Sequence, residues 1–420
     1  MKWKSRFAAC LWSAAVCCLR GQSLQVEPRR ALVDQVVAIR AAGLQPKERV
    51  TIKAKLTDGG GEPWSSQADF SADAQGRIDT SAQAPAAGSY KEVSAMGLVW
   101  SMMPRSRKEG RYRPPPRFEP QPIEFHLLRK GAEIAAAQLD QLAIAEDVQR
   151  IAVHDGDLRG VLFLPPGAGR HPGVLVLGGS EGGFPARRGA WLASRGYAAL
   201  ALAYFHYEDL PPMLAGIPLE YFGHALAWMA GRPEIAPDHL AVMGVSRGGE
   251  LALQLGSMYP RISAVVAYVP ANVRYPACCG FAPVPYAWTW HGSPLAFRAI
   301  RGFTPDMELT AAIAVENTKG PLLLISGDAD GVWPSSSMAE AVVSRLRRNH
   351  FAYSVEHLKY AHAGHVAGRP ELVPAWQGSI NHPISGRPMD AGGSPKGNAE
   401  SSLDAIPKVL EFLHRNLLPE

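Results

Sequence analysis

The chain has 420 residues, 47% of them hydrophobic and 19% charged. That is room for two or three domains with substantial cores, and it is too apolar for a disordered chain. The formal net charge of +5 comes without a long Lys/Arg run, so it reads as a solvated surface and excludes a nucleic-acid partner from the expectations.

The first 23 residues read as a signal for export. Lys2, Lys4 and Arg6 precede an apolar stretch from Phe7 to Leu19 that a single serine interrupts. A positive start and a short apolar core describe a secretory signal peptide, and the stretch is too short for a stable membrane span. Cleavage is expected near Gly21 to Ser23, with a secreted or periplasmic product. The competing reading, a buried N-terminal helix, leaves the protein cytoplasmic. Three of the five cysteines (Cys10, Cys17, Cys18) fall in this segment. Cys278 and Cys279 are neighbours, which rarely pair, so they are expected as buried thiols. No disulfide framework and no metal site is implied.

Residues 24–142 are strand-like. Ala31 to Arg40, Val50 to Leu56 and Ile123 to Leu128 carry β-branched residues with partial period-two alternation, punctuated by turns at Asp58 to Gly61 and Ala74 to Arg77. The pattern predicts an antiparallel β-sandwich of immunoglobulin type, interrupted by a Pro-rich loop from Arg105 to Pro122. Residues 143–420 change rhythm. Gly173 to Leu177, Ala198 to Leu202, His239 to Met243, Ile262 to Tyr268 and Leu322 to Ile325 are near-continuous apolar runs, as in strands covered on both faces. Helical stretches separate or follow them at Leu219 to Met229, Ser335 to Arg348 and Leu403 to Leu417. The class is α/β, with a doubly wound, mostly parallel sheet. Two segments outside the rhythm, Ala271 to Glu308 and Val366 to Asn398, are expected as lid or rim loops.

The chemistry centres on Gly244-Val245-Ser246-Arg247-Gly248, set between the His239 strand and a helix opening near Glu250. A serine on such a strand-to-helix corner is exposed on a strained turn, and flanking glycines let other backbone approach. A serine hydroxyl needs a base to take its proton, and the base needs a carboxylate to orient it. In α/β-hydrolases these follow in the order Ser, Asp or Glu, His. The Leu322 strand runs out into Ser326-Gly327-Asp328-Ala329-Asp330, so Asp328 or Asp330 supplies the carboxylate. The next predicted strand, Ala352 to Leu358, leads to His362 and His365. His365 is placed where the base belongs, with His362 as its competitor. His357, inside the strand, reads as structural. The oxyanion would meet the backbone amide of Arg247 and one from the loop Gly178 to Gly183, with Gly179 and Ser180 the candidates. That loop lacks the spacing of a nucleotide cradle, and no cofactor and no metal is expected.

At these residues the chain resembles the acyl-CoA thioesterase and bile acid-CoA:amino acid N-acyltransferase family. The resemblance rests on Ala31-Leu32-Val33-Asp34, Ile39 to Leu44 and Met96 to Met102 in the first part. In the second it rests on Ala203 to Pro211, Leu219 to Phe222, Gly244 to Glu250 and Tyr360 to His365. It implies a sandwich followed by an α/β-hydrolase domain. It places the nucleophile on Ser246, the base on His365 and the carboxylate on Asp330, through the family's Asp-x-x-Trp spacing to Trp333. Serine, where the amino-acid-conjugating branch has cysteine, implies hydrolysis rather than transfer to an amine. The expected partner is a small-molecule acyl thioester or ester. Because family members handle acyl-CoA inside cells, the export signal points to a carrier other than CoA. A secreted carboxylesterase or dienelactone-type hydrolase on the same residues is the main rival, and acyl transfer to an amino acid is another. The sequence does not specify chain length or oligomeric state.

Overall fold

Strict in–out alternation builds the first third of the chain. In the strand Arg49–Thr57, Val50, Ile52, Ala54 and Leu56 point inward. Its antiparallel neighbour Pro63–Ser71 answers with Trp64, Ser66, Ala68 and Phe70. A computed structural model describes residues 21–106, 110–298 and 309–418; most of the stretch read from the sequence as an export signal, residues 1–20, lies outside these. One sheet contains Ser23–Glu27, Ala38–Ala42 and Ile78–Asp79. The facing sheet runs Arg30–Leu32, Ala132–Leu142, Gln121–Arg129, Arg49–Thr57, Pro63–Ser71 and Ala87–Gly88, with Met103–Pro104 also on Pro63–Ser71. The inner faces share one core of residues such as Val26, Ile39, Ile52, Phe70 and Phe125. One pairing departs from the antiparallel expectation: Arg30–Leu32 lies parallel to Ala132–Leu142. The chain leaves the first sheet at Glu27 and joins the second at Arg30, too soon to reverse direction.

The second half is an eight-stranded sheet of β1 (Gln149–Asp155), β2 (Leu158–Leu164), β3 (His171–Leu177), β4 (Ala198–Ala203), β5 (Ile235–Val245), β6 (Ile262–Tyr268), β7 (Leu322–Gly327) and β8 (Val355–Tyr360). Their order is β1-β2-β4-β3-β5-β6-β7-β8. β2 pairs antiparallel with β1 and β4, and every later pairing is parallel. Among the described residues the helices α1 (Ala186–Ala193), α2 (Glu220–Ala230), α3 (Arg247–Met258), α4 (Ser335–Arg348) and α5 (Pro395–Leu417) flank it. Alternate strand residues serve opposite faces. Leu175, Leu177 and Val242 pack with α2, α3 and α4, whereas Val174, Val176 and Met243 pack with α1 and α5. This is a doubly wound α/β-hydrolase sheet, covered on both faces. Among the described residues no helix is long and apolar enough to cross a membrane.

Three sequence expectations need correction. The helix expected from Leu403 begins at Pro395, because Ser394 caps it: its side chain accepts from the Gly397 amide at 3.0 Å, and Pro395 occupies the first turn, where no donor is needed. The segment from Ala271 is more than a rim. Its strand Trp288–Trp290 pairs with Ile217–Pro218, and the buried Trp288 indole donates to the buried Glu250 carboxylate at 2.8 Å. Cys278 and Cys279, expected as thiols, are joined by a disulfide; Cys279 adopts a left-handed φ of 80°, a turn conformation that lets adjacent side chains meet.

The segment 366–398 stitches the halves together. Leu372, Val373 and Ala375 enter the sandwich core. Their amides complete the seam, Leu372 donating to the Val33 carbonyl at 2.7 Å and Ala375 to that of Trp100 at 3.0 Å. Beside them, the Asp34 carboxylate is almost wholly buried and accepts from Trp191 Nε1 and Arg195 Nε, both at 2.8 Å.

Candidate active site

β5 ends at Val245 and α3 begins at Arg247, leaving Ser246 alone at the corner with φ 57° and ψ −119°. A non-glycine residue adopts this backbone only when its surroundings impose it. Here the two flanking glycines do so. A Cβ on Gly244 would stand 1.9 Å from the Gly248 carbonyl oxygen, and one on Gly248 would stand 2.2 Å from that of Gly178. The corner is thereby pressed against the end of β3. The Ser246 amide donates to the Tyr268 carbonyl at 2.9 Å, which pins it to β6 as well.

Two further strand ends reach the same point. The loop after β7 carries Asp330, whose side chain is 1% exposed and whose Oδ1 accepts from the Val332 and Trp333 amides at 2.9 and 3.2 Å. The loop after β8 carries His365. Its Nδ1 lies 2.9 Å from Asp330 Oδ2, and its Nε2 lies 2.8 Å from Ser246 Oγ. An ionised carboxylate only accepts, so Nδ1 holds the proton and Nε2 accepts from the serine hydroxyl. The Trp333 ring stands edge-on to the imidazole, centroids 5.6 Å apart, and its Nε1 donates to the Val269 carbonyl at 3.0 Å. From the other side, the His365 amide donates to Ala391 at 2.6 Å. Serine, imidazole and carboxylate form one hydrogen-bonded chain.

The alternatives left open by the sequence separate in space. Asp328 is exposed and lies 3.4 Å from Lys359 Nζ. His362 is exposed, and its carbonyl accepts from the Ser394 amide. His357 sits in β8 with Nε2 2.7 Å from Ser326 Oγ, and burial lowers its pKa.

The oxyanion candidates lie on two sides of Ser246. The Arg247 amide is the first of α3. Its side chain is committed elsewhere, donating to the Tyr275 and Pro276 carbonyls at 3.1 and 3.0 Å beside buried Glu250. Gly179 lies against the serine: a Cβ there would be 3.4 Å from Ser246 Cβ. Ser180 Oγ is 3.0 Å from Nε2 of His382, a residue the sequence did not single out. A lone histidine in a Gly/Pro-rich segment carries no signal of its own. Ser180, His382, Ser246 and His365 line a cavity of about 220 Å³, together with Glu181, Arg188, Arg369 and Met389. Among the described residues no group of His, Cys, Asp and Glu is gathered for a metal ion. A hydroxyl aligned on an imidazole that a buried carboxylate orients can lose its proton as it attacks an electrophilic carbon.

Comparison with known proteins finds relatives along nearly the whole chain. The family model for the acyl-CoA thioester hydrolase/BAAT N-terminal region matches residues 34–155, and that for the BAAT/acyl-CoA thioester hydrolase C-terminal region matches 217–419. Acyl-coenzyme A thioesterase 1 of Rattus norvegicus is 31% identical over 412 residues, covering 94% of this chain and 97% of its own. Acyl-coenzyme A thioesterase 6 of Mus musculus is 30% identical over 415 residues with the same coverage. Among solved structures, MGS-M1, an α/β-hydrolase from a deep-sea metagenome library, is 16% identical with a TM-score of 0.40, covering 65% of this chain and 99% of its own. The chain belongs to the acyl-CoA thioester hydrolase and BAAT family.

Proposed function

We propose that this enzyme is a serine hydrolase that cleaves acyl thioesters through an acyl-enzyme. The observation that carries the reading is the continuous chain from Ser246 Oγ through His365 to Asp330, at 2.8 and 2.9 Å. The relatives named acyl-coenzyme A thioesterases favour a thioester over an oxygen ester.

In this mechanism Ser246 Oγ attacks the acyl carbonyl carbon while His365 Nε2 takes its proton. Asp330 keeps the imidazole in the required tautomer and stabilises its charged form. The amides of Arg247 and of the Gly179–Ser180 turn receive the negative oxygen. Collapse breaks the carbon–sulfur bond, and the thiol leaves with the proton from His365. Water then attacks the Ser246 ester, with His365 again as base, and a carboxylic acid departs. The export reading of residues 1–23 belongs to the same proposal and places the reaction outside the cytoplasm.

A fluorophosphonate probe provides the test. It is expected to label the wild-type protein and not S246A, and matched acyl-CoA and p-nitrophenyl ester series are expected to show faster thioester cleavage. An unlabelled, folded wild-type protein overturns the mechanism. Faster ester cleavage supports a carboxylesterase instead, and conjugates formed with glycine or taurine support acyl transfer. N-terminal sequencing of the protein from fractionated cells tests export: an intact Met1 in the cytoplasm refutes it.

A further inference from the structure

The proposed mechanism takes only backbone amides from the loop after β3, yet Ser180 also brings a hydroxyl there. Ser180 lines the cavity with Ser246 and His365, and Gly179, the residue before it, lies against Ser246. The loop has little room to move. The Tyr204 hydroxyl donates to the Gly178 carbonyl at 2.7 Å, and a Cβ on Gly248 would collide with that same oxygen. The loop also meets the hairpin of Ile380–Asn381 and Pro388–Met389: a Cβ on Gly182 would stand 3.3 Å from Ile384 Cδ1.

That hairpin presents His382. Its backbone is fixed on both sides, the amide donating to the Arg387 carbonyl at 2.8 Å and the carbonyl accepting from the Gly386 amide at 2.9 Å. Its Nδ1 accepts from the amides of Ile384 and Ser385, at 3.3 and 3.2 Å. A backbone N–H can only donate, so Nδ1 carries a lone pair. The proton of the neutral ring is therefore on Nε2, which lies 3.0 Å from Ser180 Oγ. Burial holds the pKa of the ring below its ordinary value, against the opposite pull of Glu181 and of the Ser180 backbone, so the neutral form prevails near neutral pH.

The direction of that bond decides what Ser180 can do. A hydroxyl has one proton to give, and a histidine that accepted it would leave none for the substrate. Because Nε2–H donates instead, Ser180 Oγ receives a bond and keeps its own O–H. Among the described residues no other hydrogen bond engages this hydroxyl. An O–H whose oxygen accepts a bond is also polarised into a stronger donor.

We propose that the Ser180 hydroxyl is a catalytic donor to the acyl oxygen as it turns negative, and that His382 is the positioning residue that leaves its proton free. The role rests on the acyl-enzyme reading of Ser246. No proton changes hands: the Ser180 O–H bond stays intact, and its hydrogen bond strengthens as charge builds on the acyl oxygen.

Kinetics of S180A, H382N and H382Q test it, on whichever of the acyl-CoA and p-nitrophenyl ester series the wild type turns over faster. S180A should lower kcat about a hundredfold and leave KM within a few-fold, because the bond matters in the transition state. H382N keeps an acceptor for the Ile384 and Ser385 amides but does not reach Ser180. It should lose roughly tenfold in kcat at an unchanged melting midpoint, and cost nothing further when combined with S180A. H382Q, whose amide extends a donor to the position of Nε2, should recover most of that loss. S180A activity within a few-fold of wild type, or a rise in KM at unchanged kcat, overturns the catalytic role of Ser180. An H382N loss that adds in full to that of S180A, or that H382Q leaves in place, refutes the positioning role of His382. A folded wild-type protein that neither reacts with the fluorophosphonate nor hydrolyses either series sinks the hydrolase reading, and this role with it, before any variant is made.

Discussion

In the proposed mechanism the buried Asp330 carboxylate matters through a single proton. With its oxygens on Nδ1, His365 presents a lone pair to Ser246; an amide at that position could donate instead and stabilise the wrong tautomer. D330N is therefore expected to lower kcat by about a thousandfold or more while leaving KM within a few-fold, measured on any substrate the wild type turns over. His357 offers a different test, of stability. Burial depresses its folded pKa below the ordinary 6.5, as it does that of His382. The unfolded chain therefore takes up these protons first as pH falls. The stabilisation is complete above the unfolded value and is lost as pH drops toward the folded one. Thermal melts from about pH 7 to about pH 5 should show the midpoint falling, and H357Q should flatten part of that slope; an unchanged slope would exclude His357 as a contributor. At this scale the residues alone left Asp328 or Asp330 open and favoured His365 over His362, and the family resemblance chose Asp330 and His365. The choice within each pair depends on which way a loop residue turns. Lys359 draws Asp328 outward, while the Val332 and Trp333 amides hold Asp330 inward.

Elements were legible where their periodicity was strong. The helix Ser335–Arg348 was expected and found with the same bounds. The start of α5 was missed because Ser394 and Pro395 sit in a Gly/Pro-rich stretch that reads as loop, although a serine followed by proline is itself a helix-start signal. S394A should remove the bond to the Gly397 amide and destabilise the protein by about 1 kcal/mol in chemical denaturation. The corner between β5 and α3 is stiffer. An alanine at Gly248 would press its methyl group toward the Gly178 oxygen, so the β3 end and the Ser246 corner must separate. G248A is expected to reduce kcat/KM by about a hundredfold or more in soluble protein, since displacement of the serine by a fraction of an ångström spoils its alignment. Activity within a few-fold of wild type would show that the corner has more room than its contacts suggest.

Across the whole molecule, the sandwich and the hydrolase sheet meet at a charged seam. Asp34 comes from the first, Arg195 and Trp191 from α1 and the turn after it, and the pair is largely withdrawn from water. D34A leaves a guanidinium without its partner and an indole N–H unpaired, and should lower stability by roughly 3 kcal/mol. A single cooperative melt that shifts as a whole would mean the halves unfold together, whereas two separated transitions would mean that Asp34 couples them. The class of each half, the buried strands of the parallel sheet and the residue types at the candidate site were determined by the sequence alone. Period-two alternation, buried apolar runs and the Gly-x-Ser-x-Gly corner are local properties, written in residues close together in the chain. What only the tertiary structure decided is the company those residues keep. Arg111, Arg188 and the pair Arg369 and His382 come from three distant stretches to one cavity. No local pattern marks such residues, because what makes them neighbours is the packing of the sandwich and the segment 366–398 over the ends of the parallel strands.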